Sequence, residues 1–180
     1  CYIMNMKIAV AMSGGIDSSA AIIKLLEQDN YCEGFTLWLY DDPEEKNDVI
    51  PLAITKAKQL AKEIGIKHHI VDLRQEFKET VIRYFIDSYL TGTTPNPCIF
   101  CNPIIKFGKL FEIINSLGFE KLATGHYAII STSEYGLTLQ KGKDKIKDQS
   151  YFLSRIDKNI LSHLVFPLGY FKKDDIRRYM

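Results

Sequence analysis

The chain has 180 residues, 46% of them hydrophobic and 25% charged, which is enough apolar material for one packed domain and part of another, with no internal repeat or low-complexity segment. A formal net charge of +1 excludes a uniformly basic body, so a nucleic-acid partner would have to be held by local patches. No run of 18 apolar residues and no signal-peptide pattern is present, so the chain is expected to be soluble and cytoplasmic, without a membrane partner.

Cys1 to Asn5 read as leader residues ahead of the organised sequence. Lys7 to Met12 is predicted as a buried strand, because a short apolar run ends at a glycine turn. Ser18 to Gln28 then places Ala21, Ile22, Leu25 and Leu26 on one helical face, and Gly34 to Leu39 is a second run of strand length. Asp41 to Asp48 carries five acidic residues against Lys46 and reads as a solvated loop. Pro51 opens a helix marked by Ala53, Ala57, Leu60, Ala61 and Ile64, and Gly65 closes it.

His68 to Val71 is a third strand, followed by a helix from Gln75 to Leu90 in which Phe77, Val81, Phe85 and Tyr89 recur every four residues. The prolines between Gly92 and Pro97 predict a loop, and Phe107 to Leu117 a helix stopped at Gly118. Phe119 to Thr124 is a fourth strand, Tyr127 to Thr132 with Leu137 to Lys141 a hairpin around Ser133 to Gly136, and Lys172 to Met180 the opening of a helix. Strands alternating with helices predict an α/β, doubly wound, mostly parallel sheet, Rossmann-like.

The stretch "AMSGGIDSS", Ala11 to Ser19, carries the first chemistry. A strand, a glycine turn and a helix start direct backbone N–H groups and the positive helix end at one point, which favours a phosphate. Gly14 and Gly15 remove side chains that would block close approach, Ser13, Ser18 and Ser19 add hydroxyls, and Asp17 can hold Mg²⁺. Neither G-x-x-x-x-G-K-[ST] nor G-x-G-x-x-G occurs.

A second motif lies in "TGTTPNPCIFCNPIIKFG", Thr91 to Gly108, where Cys98 and Cys101 sit on a proline-rich loop just before a helix. Three readings are open for them: a metal half-site, two buried thiols, or a nucleophile with a neighbour. Four cysteines without a secretory signal argue for chemistry or packing and against a disulfide framework, and Cys32 suits burial. His68 and His69 suggest no role. From Lys141 to Lys158 six basic residues face three acidic ones, a patch able to meet phosphates through Lys143 to Lys147 and Arg155, with Gln149, Tyr151 and Phe152 beside it to read or stack on an everted base.

The pattern S-G-G-x-D-S-S resembles the pyrophosphate (PP) loop of the adenine nucleotide alpha hydrolase-like superfamily, which cleaves ATP between its alpha and beta phosphates. With "TPNPCIFCN" and "IKFG", "ATGHYA" and "KDQSYFLSR" in order, the chain from Lys7 to Met180 resembles the tRNA-specific 2-thiouridylases of the MnmA family. The resemblance implies that ATP adenylates the 2-oxygen of a wobble uridine in tRNA and that a persulfide delivers sulfur, supplied by a sulfur-donor relay protein or cysteine desulfurase. It implies Cys101 as the nucleophile and Cys98 at a position given an acid/base role where it is aspartate. It places Ala11, Met12, Ser13, Gly14, Gly15, Ile16, Asp17 and Ser18 in the nucleotide site, with Leu37 packing on adenine and Gly125 nearby. His126, Lys147, Asp148 and Gln149 match positions that contact tRNA.

On this reading, residues 6–142 are the ATP-binding domain and 143–180 the beginning of a tRNA-binding region. The chain departs from the family at Phe100 and Pro103, where polar or basic residues are common, and it lacks the paired cysteines of many relatives after the second strand. The family's second catalytic cysteine lies in a downstream segment that these residues do not reach, so the fragment is expected to be inactive alone. The alternative is a diverged relative that holds a metal or iron-sulfur centre through Cys98 and Cys101 and acts on another substrate.

Overall fold

A computed structural model describes residues 6–41, 50–134 and 136–180, so the leader and the acidic stretch beyond Asp41 lie outside the described residues. Five parallel strands form the central sheet: β1 (Lys7–Ala11), β2 (Tyr31–Trp38), β3 (His68–Asp72), β4 (Lys121–Ala123) and β7 (Leu164–Val165), in the order β3-β2-β1-β4-β7. The inner strand β1 reads as a continuous apolar run because both faces of the sheet are covered there, whereas the edge strand β3 has no buried residue. Along β1 the side chains alternate: Ile8 and Val10 pack with Ile22, Leu25, Cys32 and Ala57 on one face, and Ala9 packs with Phe35, Phe107, Leu110 and Leu122 on the other.

Helices α1 (Ile16–Leu26) and α2 (Leu52–Glu63) follow β1 and β2. After β3, α3 (Arg74–Phe77), a π-helical turn (Lys78–Ile82) and α4 (Arg83–Leu90) run on without a break. In this run Val81 is buried, whereas Phe85 and Tyr89 are exposed. Their spacing of four does mark a helix, but each step of four turns it about 400°, so the row drifts about 40° per repeat off the buried face.

The second long helical run corrects the reading of the cysteine loop. Cys98 and Cys101 lie inside α5 (Pro97–Cys101), which continues as a π-helical segment (Asn102–Leu110) and α6 (Phe111–Ser116). Asn96 caps α5, its side chain accepting from the Ile99 amide at 3.3 Å, and Pro97 takes the first-turn position where a missing N–H costs nothing. Pro103 falls where the chain widens into the π segment, as expected where a ring displaces the usual i→i−4 pairing. A side chain at Gly108 would come within 2.8 Å of the Pro103 carbonyl five residues earlier, so glycine permits that wider turn.

The hairpin forms as a separate antiparallel pair, β5 (Ala128–Ser133) with β6 (Gly136–Lys141). Beyond it come two short 3₁₀ turns, Ser150–Leu153 and Lys158–His163, then β7, which pairs with β4 (Leu122 opposite Leu164), and α7 (Lys173–Tyr179). The sheet therefore draws strands from both sides of the expected 142/143 boundary. Ile176 of α7 joins Ala20 and Ala21 of α1 in one buried cluster with Tyr127 and Leu168.

Candidate active site

In an open parallel sheet, ligands bind beyond the carboxyl ends of the strands where the strand order reverses. Here that point lies between β1, whose partner on one side is β2, and β4 on the other. The segments leaving these two strands, Met12 to Gly15 and Thr124 to His126, meet there beside a cavity of about 410 Å³.

The glycine loop is held by its own hydroxyls. Ser18 Oγ accepts from the Ser13 amide at 3.1 Å and donates to the Gly15 carbonyl at 2.9 Å, and Ser19 Oγ donates to the same carbonyl at 3.0 Å. Ser18 and Ser19 thus shape the loop, and the exposed Ser13 joins them through its hydroxyl, 3.3 Å from Ser18 Oγ. Gly15 is the N-cap of α1 and offers no side-chain cap, so the first-turn amides retain their capacity to bind an anion. Gly14 adopts φ +71°, and a side chain there would meet the Ala53 carbonyl of α2 at 2.3 Å. Gly125 is as constrained, since a side chain would lie 2.8 Å from the Asp17 backbone.

Asp17 faces the cavity from the first turn of α1, and its Oδ1 accepts from the Tyr127 hydroxyl at 2.8 Å and from Lys173 Nζ of α7. It is the one carboxylate among the described residues lining the cavity, which suits a cation held by one protein carboxylate and by a ligand's phosphates. Another part of the wall is apolar: Phe35, Leu37, Trp38 and Ile54. Arg74 stacks over Trp38 at 4.1 Å and pairs with Asp41 at 2.8 Å.

The third wall contains Lys106, Thr124, Gly125, His126 and Gln149. His126 is buried, with Nδ1 2.7 Å from Thr124 Oγ1, and burial, reinforced by the positive charge of Lys106, pushes its pKa down to about 3. At neutral pH it is an uncharged imidazole. Burial likewise lowers the Lys106 pKa, while the nearby Cys101 and Cys98 thiols oppose that shift. Burial raises the Cys101 pKa, and Lys106 pulls it back.

Of the residues expected from sequence, Ala11, Met12, Ser13, Asp17, Ser18, Leu37, Gly125, His126 and Gln149 line this one cavity, and Gly14, Gly15 and Ile16 build its loop. Cys98 is exposed and Cys101 half-buried on α5, outside the cavity lining but on the helical run that carries Lys106 into it. Lys147 is exposed away from the cavity, and the Asp148 carboxylate accepts from the Gly142 amide at 2.8 Å and the Ser150 hydroxyl at 2.8 Å, holding the turn that presents Gln149. Gln149 Oε1 in turn accepts from the Tyr127 amide at 3.1 Å.

Phe100 stacks on Tyr84 with ring centroids 4.0 Å apart, which makes it a packing residue between α5 and α4. Among the described residues no group of three or more His, Cys, Asp or Glu is placed to hold a metal ion, and no helix is long and apolar enough to cross a membrane. Lys106, Thr124 and Trp38 were not singled out from sequence. No spacing marked Lys106, which the π segment Asn102–Leu110 carries into the cavity.

The fold and site together define a doubly wound α/β domain with a glycine loop and a helix N-terminus at the switch point of a parallel sheet. The family model described as the tRNA methyl transferase HUP domain matches residues 6–180, and the chain belongs to that family. The tRNA-specific 2-thiouridylase MnmA of Campylobacter lari is 47% identical over 97% of this chain and 49% of its own length, and the protein of the same name from Rickettsia akari is 46% identical over 95% of this chain and 48% of its own. The chain thus spans about half the length of these relatives. Among solved structures, one described as a predicted subunit of tRNA methyltransferase from Methanocaldococcus jannaschii shares the fold, with a TM-score of 0.56 and 22% identity over 97% of this chain and 73% of that one.

Proposed function

We propose that these residues are the nucleotide-binding half of an ATP-dependent tRNA 2-thiouridylase, in which ATP activates the 2-oxygen of a wobble uridine for replacement by sulfur. The observation that carries this reading is the convergence, on one cavity, of a glycine loop at a helix N-terminus with the helical run that bears Cys101. The apolar wall of Phe35, Leu37, Trp38 and Ile54 suits a purine, and the loop amides of Gly14 to Asp17 suit its phosphates. Asp17 would hold a Mg²⁺ ion, which supplies charge neutralisation for the leaving pyrophosphate.

The uridine 2-oxygen attacks the alpha phosphorus; the new O–P bond forms as the bond to pyrophosphate breaks, and the pyrophosphate departs with the electron pair. A carbonyl oxygen is a poor leaving group, whereas AMP is a good one once it is attached. A terminal persulfide sulfur then bonds to C2 and AMP leaves with the oxygen. The Cys101 thiolate attacks the carrier sulfur, which frees the new C2–S group and leaves a disulfide for a thiol reductant to reopen. The exposed Lys143, Lys145 and Lys147, near Tyr151, suit the phosphates and bases of a tRNA, delivered alongside a sulfur-relay partner in the cytoplasm.

The test is complementation of cells lacking the endogenous enzyme with the complete reading frame or its Cys101→Ala variant, followed by mass spectrometry of tRNA nucleosides. The expected result is 2-thiouridine with the parent and none with the variant. Absence of 2-thiouridine with well-expressed parent, or stoichiometric iron or zinc lost together with Cys98 and Cys101, would overturn the reading in favour of a metal-binding relative.

A further inference from the structure

Lys106 is the one lysine or arginine lining the cavity among the described residues, and none of them gives it a hydrogen bond or ion pair. The cavity's carboxylate, Asp17, is engaged by Tyr127 and Lys173, and His126 is neutral. The only groups among the described residues set against the Lys106 charge are the Cys101 and Cys98 thiols, whose pull does not offset burial, so a recessed ammonium there is costly unless a bound anion is placed beside it.

The position of Lys106 selects which anion. The loop amides and Asp17 stand at the α1 end of the cavity and suit the distal phosphates, whereas Lys106 enters from the helical run that carries Cys101. The phosphate that undergoes transfer must lie towards that helix, because the uridine carbon whose oxygen it takes is the one that receives the sulfur Cys101 then releases from its carrier. We propose that Lys106 binds the nucleotide's alpha phosphate, the one that stays with the nucleoside as AMP. This rests on the ATP-dependent reading above and adds to it a residue beyond the glycine loop: the loop holds the leaving pyrophosphate, and Lys106 holds what remains. Its ammonium contributes charge on both sides of the step, and no proton transfer is assigned to it.

Calorimetric titration of AMP, adenosine and ATP into the protein expressed from its complete reading frame, and into its Lys106→Met and Lys106→Arg variants, tests this. Methionine keeps the bulk without the charge, and thermal melting checks that each variant is folded. The expected result is a tenfold or greater loss of AMP affinity in Lys106→Met, no change for adenosine, and retention of the AMP preference over adenosine in Lys106→Arg. A loss confined to ATP would place the charge on the distal phosphates, and equal losses or none for AMP and adenosine would remove the phosphate role; each overturns the proposal while leaving nucleotide binding by the parent intact. A parent that binds none of the three overturns both this proposal and the ATP-dependent reading.

Discussion

Gly14 has no room for a methyl group. Its φ of +71° and the Ala53 carbonyl 2.3 Å from a virtual side chain act together, so Gly14→Ala combines a left-handed backbone penalty of about 1–2 kcal/mol with a displacement of α2 from the loop. The expected outcome is a modest fall in melting temperature and a tenfold or greater loss of nucleotide affinity by calorimetry; unchanged affinity would show that the loop tolerates the shift. The cysteines differ as sharply. Cys98 is exposed, Cys101 is half-buried with its pKa raised by burial, and Cys32 is buried with its pKa pushed up to about 11. Of the three cysteines among the described residues, iodoacetamide at neutral pH should therefore modify Cys98 first, Cys101 more slowly, and Cys32 only on unfolding, an order that peptide mapping would read.

At the scale of elements, the run Pro97–Ser116 is the part on which the site depends. Asn102, buried next to Cys101, donates from Nδ2 to the Phe152 carbonyl at 2.9 Å and so ties the 3₁₀ turn Ser150–Leu153 to the cysteine helix. Asn102→Ala leaves that carbonyl without this donor, at a cost of about 1–3 kcal/mol. Amide hydrogen exchange should quicken across Ser150–Leu153 while β1 and β4 stay protected; uniform change would mean that the bond holds nothing local. The strands and the glycine loop were legible in the sequence because two-sided burial writes them as apolar runs and the turn needs glycine. The helix around Cys98 was not, because Pro95, Pro97 and Pro103 argue for a loop until one sees that Pro97 occupies a first turn and Pro103 a π segment. A two-residue strand such as β7 leaves no period to read, and Lys106 looks like any surface lysine until the helix turns it inward.

At the scale of the molecule, acid stability carries the mark of His126. The unfolded chain takes up a proton on this imidazole near pH 6.5 and the folded chain only near 3, so stability is full above about 6.5 and falls as the pH drops between those values, by about 1.4 kcal/mol per unit at most. In His126→Gln this limb should flatten, as denaturant melts between pH 4 and 7 would show; an unchanged slope would assign it to other groups. Lys173 joins α7 to the loop through Asp17, while the Asp144 carboxylate accepts from the Lys173 amide at 2.9 Å and holds the start of α7. Lys173→Met should speed amide exchange over Lys173–Tyr179, with the central strands unaffected.

That contact between Asp17 and Lys173 spans 156 positions of chain. During synthesis the glycine loop leaves the ribosome before α7 does, so its carboxylate waits for its cationic partner until Lys173 has emerged from the exit tunnel. Nascent chains stalled on either side of that point differ in one respect: both can hold Asp17 through the Tyr127 hydroxyl, and only the longer adds the ion pair with Lys173.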